Sequence, residues 1–287
     1  METIRLEKLT YCYKPDIPGE KNAIENIDLT IDKGEFIGVI GHTGSGKSTL
    51  ISHLNGLLKP TSGKVFVNGQ DIWAKPKEIR KVRFTVGLVM QYPEYQLFEE
   101  TVYKDIAFGP SNMGLTEDEI RNRVFEAMDF VGLPRELAEV SPFDLSGGQK
   151  RRVAIAGVMA MRPEILILDE PTAGLDPAGR ELILNQVKAY HEANHNTVIL
   201  VSHSMEDIAK YAGRVLVIHE GGVADFDLVN RVFAKSEQLT QMGLSIPQIS
   251  KVFMMLRQRG FDLPQDVFTV EAACDTLLDL FAEVDKC

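Results

Sequence analysis

The residues Gly41-His42-Thr43-Gly44-Ser45-Gly46-Lys47-Ser48-Thr49 decide the fold of this chain. They follow the pattern G-x-x-x-x-G-K-[ST], in which a glycine-rich turn wraps backbone N–H groups around phosphate oxygens. The pattern predicts that Lys47 reaches the β- and γ-phosphates of a nucleotide and that Ser48 holds Mg²⁺. An apolar run at 36–40 precedes the loop and a helical pattern from residue 50 follows it, so the expected strand–loop–helix context is present.

A second chemical signal lies at the end of the apolar run 165–168, where Asp169 and Glu170 follow directly. An apolar strand of this kind is typical of a buried parallel sheet, and ligands bind at the carboxyl ends of such strands. We expect Asp169 to ligate Mg²⁺ or to lie beside it, and Glu170 to polarise an attacking water as a general base. His203 follows another predicted strand, 197–202, and is expected to contact the γ-phosphate and orient that water.

Three further features are weaker when each is taken alone. Gln91 ends an apolar strand predicted at 84–91, where it could touch the metal through water and sense the γ-phosphate. The stretch Leu145-Ser146-Gly147-Gly148-Gln149 leads into a helix predicted at 150–161 and offers a second helix N-terminus suited to phosphate. Tyr11 or Tyr13 could stack on a nucleotide base, although either ring could equally pack on the sheet.

The remaining pattern predicts strands and helices around these motifs. Residues 1–35 alternate as strands do, and helices are predicted at 101–108, 116–131 and 134–140, with breaks at Gly109-Pro110 and Gly132. From about residue 226 the composition shifts to short helical segments, which we interpret as a helical appendage and an oligomerisation surface.

Composition limits the classes of function. The chain has 287 residues and a net charge of −10, which argues against a binder of duplex DNA or of RNA. Its three cysteines, Cys12, Cys274 and Cys287, show no disulfide or metal-ligand spacing, so we expect a reducing compartment. No apolar signal or membrane-spanning run is visible, and we expect a soluble protein whose membrane connection comes through a partner.

The order and spacing of these motifs over residues 1–225 resemble the ATP-binding-cassette (ABC) ATPases. The resemblance implies an α/β fold: a P-loop, RecA-like ATPase core with an N-terminal antiparallel β-subdomain, an inserted helical subdomain at about 92–160, and a small C-terminal helical domain at 226–287. The matching positions are 41–49 for the Walker A loop, Gln91 for the Q-loop, 145–149 for the signature, Asp169 and Glu170 for Walker B, 173–176 for the D-loop, and His203 for the switch histidine. Tyr13 resembles the adenine-stacking aromatic, with Tyr11 as the runner-up.

The resemblance also implies how the chain works. In that family two cassettes sandwich two ATP molecules head to tail. Leu145, Ser146, Gly147, Gly148, Gln149 and Asp176 would contact the nucleotide held by the facing subunit. Tyr13, Gln91 and the loop 41–49 would contact ATP within the chain. Ser48, Gln91 and Asp169 would hold Mg²⁺, and Glu170, His203 and Lys47 would be the catalytic residues. With one loop of each kind, the chain is expected to form half of such a dimer.

A narrower resemblance rests on two stretches, Gln91-Tyr92-Pro93-Glu94-Tyr95-Gln96-Leu97-Phe98 and residues 105–115. Both are similar to the energy-coupling-factor (ECF) transporter ATPases, in particular to the second of their paired subunits. This implies a heterodimer with a sister ATPase, peripheral at the cytoplasmic face of the cell membrane. The segment 92–145 would face a transmembrane coupling protein, which carries a substrate-binding membrane subunit for a vitamin or metal ion; no nucleic acid is implied.

Several alternatives are weighed against this one. A homodimeric ATPase of a cobalt/nickel importer or of another ABC importer stays open. A DNA-repair ATPase would carry a long heptad insert between Lys47 and Ser146, and a translation-associated protein would normally carry two cassettes. A module that binds nucleotide without hydrolysing it is disfavoured because Glu170 and His203 are both present.

Overall fold

A computed structural model describes residues 1–15, 17, 19–264 and 266–284, with side chains described as far as residue 280. Cys287 therefore lies outside the described residues. The N-terminal part forms an antiparallel sheet in the order β2-β1-β4-β5. Its strands are β1 (Glu2–Tyr11), β2 (Ile24–Asp32), β4 (Ser62–Val67) and β5 (Gln70–Asp71). This sheet confirms the expected β-subdomain.

A six-stranded sheet in the order β10-β9-β3-β8-β7-β6 forms the centre of the molecule. Its strands are β3 (Phe36–Ile40), β6 (Val86–Val89), β7 (Ile165–Asp169), β8 (Thr197–Val201), β9 (Arg214–His219) and β10 (Gly222–Leu228). Every residue of β3, β7 and β8 is buried, as the uninterrupted apolar runs predict. The five strands from β9 to β6 run parallel to one another, and β10 runs antiparallel to its neighbour β9.

The register of the parallel strands brings the predicted motifs to one edge of the sheet. Asp169 at the end of β7 pairs with Val201 of β8, and Val201 pairs with Val39 of β3. The phosphate loop, the acidic pair and His203 each begin within two residues of these positions. The fold therefore gathers the phosphate loop at the same edge as the acidic pair and His203, which follow it by more than 100 residues in the sequence.

Helices cover both sides of this sheet. Those between residues 92 and 160 form the inserted helical region. They are α1 (Lys47–Leu54), α2 (Ile79–Thr85), α3 (Val102–Asn112), α4 (Glu117–Phe130), α5 (Gly147–Met159), α6 (Pro177–Asn194) and α7 (Met205–Tyr211). The α/β architecture confirms the expected fold class. No helix in the described part of the chain is long and apolar enough to cross a membrane.

Three predicted boundaries were wrong. Phe84 and Thr85 belong to the end of α2 and not to strand β6. Helix α3 is not broken at Gly109-Pro110: the buried Pro110 lies in its last turn, and the helix ends two residues later at Asn112. The segment expected to be helical at 134–140 forms a 3₁₀ helix, Arg135–Glu139, so its ends were predicted one residue too far on each side.

The C-terminal part contains α8 (Val229–Ala234), α9 (Ser236–Gln241), α10 (Gln248–Gln258) and α11 (Val270–Val284). Val232, Phe233 and Leu239 belong to the main core, whereas α10 and α11 share a separate small cluster around Phe253. The boundary expected near residue 225 falls inside β10. The division into two domains remains a proposal, and the packing favours a boundary after Ile246.

Candidate functional site

The phosphate loop connects β3 to α1, and two of its glycines have no room for a side chain. A Cβ on Gly46, whose φ is +106°, would lie 2.6 Å from the carbonyl oxygen of Ala23. A Cβ on Gly41 would lie 2.4 Å from the carbonyl oxygen of Ile218. The backbone at Ala23 and Ile218 therefore allows only glycine at these two positions of the turn. The loop ends at the N-terminus of α1, where an anion is favoured.

Lys47 is 7 % exposed and folds back across the loop. Its Nζ donates to the carbonyl oxygens of Gly41 and His42, at 2.7 and 3.0 Å. Burial lowers the pKa of Lys47, and the nearby Glu170 and Asp169 carboxylates oppose that shift. An ammonium desolvated in this way is suited to binding a phosphate oxygen.

Ser48 and Asp169 meet at the expected metal position. The Ser48 hydroxyl donates to Asp169 Oδ2 at 3.0 Å. Burial raises the pKa of Asp169, while the hydrogen bond from Ser48 and the charge of Lys47 act against that rise. A hydroxyl and a carboxylate are oxygen donors of the kind that Mg²⁺ prefers, and one or two such protein ligands are typical when phosphates supply the rest.

Glu170 has two unusual properties. Its φ of +49° places a glutamate in the left-handed region, where non-glycine residues are uncommon. Its Oε1 is buried and has no hydrogen-bond partner among the described residues. Burial, together with repulsion from Asp169, raises the pKa of Glu170 to about 7 although Lys47 opposes this. A carboxyl group with these properties can take a proton near neutral pH.

His203 faces this carboxyl group from the end of β8. Its Nε2 lies 3.5 Å from Glu170 Oε1, and its side chain is 55 % exposed. Burial and the charge of Lys47 lower the pKa of His203, although Asp169 acts in the opposite direction. The neutral imidazole is therefore favoured, and the structure brings it together with Lys47, Asp169 and Glu170.

Gln91 and the two tyrosines differ in their exposure. Gln91 is exposed and follows β6, which pairs with β7. Tyr13 is 58 % exposed, and its hydroxyl lies 3.0 Å from Thr49 Oγ1 in α1. Tyr11 is half-buried, and its ring packs edge-on against His53. These positions favour Tyr13 over Tyr11 as the residue available to a base.

The signature loop is not brought to the phosphate loop. Ser146 and Gln149 form a reciprocal capping box at the start of α5, and Asp176 caps α6 by accepting from the Gly179 N–H at 3.0 Å. Among the described residues, no hydrogen bond or ion pair joins residues 145–149 to residues 41–49.

Sequence reasoning missed a buried ion pair beside the site. Arg151 in α5, whose side chain is 4 % exposed, pairs with Glu94 through two hydrogen bonds of 3.1 and 2.8 Å. One signal could have revealed it: Arg151 lies four and eight residues before the buried Ile155 and Met159. A charged residue on the buried face of a helix indicates a buried partner.

Comparisons with known proteins agree with this geometry. The family model described as "ABC transporter" matches residues 24–173. The energy-coupling factor transporter ATP-binding protein EcfA2 of Caldanaerobacter subterraneus subsp. tengcongensis is 54 % identical to this chain, over 96 % of each. Among solved structures, cbiO1 from Clostridium perfringens, described as part of the ABC transporter complex cbiONQ, is 38 % identical with a TM-score of 0.74, over 88 % of this chain and 99 % of that one. The cassette MJ0796, solved as a post-hydrolysis dimer bound to ADP and Pi, is 29 % identical with a TM-score of 0.71, over 79 % of this chain and 98 % of that one.

Proposed function

Because this chain belongs to the ABC transporter family and, within it, to the ATP-hydrolysing ECF transporter subunits, we propose a specific mechanism and assembly for it. Lys47 and the loop 41–49 bind the phosphates of ATP, and Tyr13 stacks on the base. Glu170 accepts a proton from the attacking water, and His203 orients that water toward the γ-phosphate. The observation that carries the proposal is the buried, unpartnered Oε1 of Glu170 beside His203 and Lys47.

The residues present fit a magnesium ion. Ser48 and Asp169, already 3.0 Å apart, would hold it together with Gln91, which would contact it through water. The ion would neutralise charge on the transferred phosphoryl group. Lys47 supplies a second positive charge within the loop.

We further propose that the site is completed by a second cassette. Residues 145–149 and Asp176 would contact nucleotide held by the facing subunit, because no hydrogen bond or ion pair joins them to the loop 41–49 among the described residues. The N-terminus of α5 would direct its positive end at the γ-phosphate of that nucleotide. The dimeric solved structure of a similar cassette supports this arrangement.

The partners we propose are a sister ABC ATPase, a transmembrane coupling protein and a substrate-binding membrane subunit for a vitamin or metal ion, with the chain peripheral on the cytoplasmic face of the membrane. No nucleic acid is involved. The segment 92–145 would face the coupling protein. Its exposed aromatic residues support this: Tyr95 is 85 % exposed, and Phe98 and Phe108 stack edge-on at 4.9 Å while both are about half exposed. Exposed apolar groups of this kind mark interaction surfaces.

The proposed base is tested by Glu170→Gln. We expect phosphate release to fall by about 10²-fold or more while ATP still binds, because the amide cannot take the proton. Glu164→Gln is the matched control, since Glu164 lies one residue before β7 at the opposite end of the same strand. Equal phosphate release from wild type and Glu170→Gln would exclude Glu170 as the base.

The proposed assembly is tested by purifying the tagged chain from its native membranes in mild detergent and identifying co-purified proteins by mass spectrometry. A different cassette ATPase in near-equal amount, with a multispanning protein and small membrane proteins, would support the heterodimer. Recovery of the chain alone, or with one dedicated permease, would favour the homodimeric importer. Recovery of DNA or ribosomes would contradict the transport assembly.

A further inference from the structure

Arg151 connects three segments of the site through one buried side chain. Its Nε and Nη2 donate to the two carboxylate oxygens of Glu94, which lies three residues after Gln91. Its Nη1 donates to the carbonyl oxygens of Pro171, at 3.4 Å, and Ala173. Arg151 itself lies in the first turns of α5, which the signature loop begins.

The two carbonyl groups belong to the turn that holds Glu170. The Ala173 N–H donates to the Glu170 carbonyl oxygen at 3.1 Å, which closes the turn, and Glu170 adopts its left-handed backbone at the start. A residue in such a conformation persists only where its surroundings impose it. Arg151 donates hydrogen bonds to two carbonyl oxygens of this turn, those of Pro171 and Ala173.

We propose that Arg151 is a positioning residue for ATP hydrolysis: it fixes the turn 170–173, and with it Glu170, to the Glu94 segment and to α5. The proposal rests on the function proposed above for Glu170. A guanidinium is suited to this position because its planar fork can engage a carboxylate with two nitrogens and use the third elsewhere. Stability alone does not require the pair, since apolar residues of similar volume often stabilise a core equally well.

The test measures steady-state ATP hydrolysis by the full chain purified with its partners. For Arg151→Gln we expect kcat to fall about tenfold or more while KM for ATP changes by less than about twofold, because the base is displaced and the phosphate loop is untouched. Arg151→Lys keeps the charge beside Glu94 but cannot also donate to the carbonyl oxygens of Pro171 and Ala173. We therefore expect its kcat to recover only in part relative to Arg151→Gln. The matched control is Arg214→Gln, which removes the partly buried Arg214–Glu35 ion pair, at 3.1 Å, outside the site and outside the segment 92–145.

A second variant keeps the result interpretable if Arg151→Gln unfolds because Glu94 loses its partner. The double variant Glu94→Gln/Arg151→Gln leaves no unpaired charge, and we expect it to fold but to keep the low kcat. A kcat within about twofold of Arg214→Gln, or a loss of kcat/KM caused by KM alone, would overturn the proposal. If instead Glu170→Gln hydrolyses ATP normally, the function proposed for Glu170 fails first and independently of Arg151.

Discussion

At the scale of single residues, steric limits in the phosphate loop can be separated from backbone strain. Gly44 and Gly46 both have positive φ, but only at Gly46 would a Cβ collide with backbone, since nothing lies within 4 Å of a Cβ on Gly44. The two positions therefore form a matched pair, in which the same substitution adds a collision at one position only.

We expect Gly46→Ala to lower the thermal unfolding midpoint more than Gly44→Ala does. Gly44→Ala should cost roughly 1–2 kcal/mol, the usual penalty for a left-handed backbone with a Cβ. Gly46→Ala adds the contact with the Ala23 carbonyl to that penalty. Thermal unfolding without nucleotide measures the difference, and equal midpoints would contradict the steric argument.

Glu94 gives the chain a predictable response to acid. Burial is the largest single influence on Glu94 and raises its pKa, but the hydrogen bond with Arg151, a hydrogen bond from its own backbone N–H and the charge of Arg151 together hold the pKa below the ordinary 4.5. A carboxylate with a lowered folded-state pKa stabilises the fold above its unfolded pKa, and this contribution is lost as the pH falls through the folded value.

We therefore expect wild type to lose stability as the pH falls below 4.5, and Glu94→Gln to lose less over the same interval. The variant should also be less stable than wild type at neutral pH, because Arg151 then lacks a charged partner. Urea denaturation at a series of pH values measures both effects. If the free energy of unfolding falls equally with pH in the two proteins, folding does not change the pKa of Glu94.

At the scale of elements, two helices begin with the same device but differ in their proposed role. Helices α4 and α5 both start with a capping box, formed by Thr116 with Glu119 and by Ser146 with Gln149. Only α5 is proposed to meet a nucleotide. The two caps can therefore separate stability from function.

We expect Ser146→Ala and Thr116→Ala each to reduce stability by about 1 kcal/mol, the usual loss for a missing N-cap. Ser146→Ala should also lower ATP hydrolysis by the assembled complex relative to wild type, because the capped N-terminus of α5 is then misaligned against the facing nucleotide. Unfolding midpoints and phosphate release measured side by side test this, and hydrolysis by Ser146→Ala equal to that of wild type would argue against the signature loop acting in trans.

At the scale of the whole molecule, the core continues past the cassette expected from the sequence. Val232 and Phe233 are 0 % and 2 % exposed and belong to the core of the main sheet. Ending the chain at residue 225 would remove these side chains and also part of β10. Ending it at residue 246 would remove α10, α11 and the segments around them, and from the main core the single buried side chain of Phe268, which packs against Phe233.

We expect a chain of residues 1–246 to fold cooperatively and one of residues 1–225 to be unfolded or aggregated. The shorter chain loses about 1.5–3 kcal/mol for each large buried apolar side chain removed. Circular dichroism and thermal unfolding of the two truncations test the boundary. A stable chain of residues 1–225 would restore the boundary expected from composition.

These elements show which features a sequence can reveal. The strands before Gly41, Asp169 and His203 are continuous apolar runs, so their type and the shared edge follow from pattern alone. The continuation of α3 through Pro110 depends on burial, which no local pattern encodes. The Glu94–Arg151 pair joins residues 57 apart in sequence, and the chain carries no local sign of which partner is chosen. The roles of the site residues themselves remain predictions.

The backbone of Glu170 has a consequence for any attempt to make this protein more robust. Asparagine tolerates a φ of +49° far better than glutamate does, and it would also remove a carboxyl group held at a raised pKa. Glu170→Asn should therefore melt at a higher temperature than wild type while releasing almost no phosphate. Selection for thermal stability alone would favour this inactive variant, so stability and catalytic turnover oppose each other at this single position.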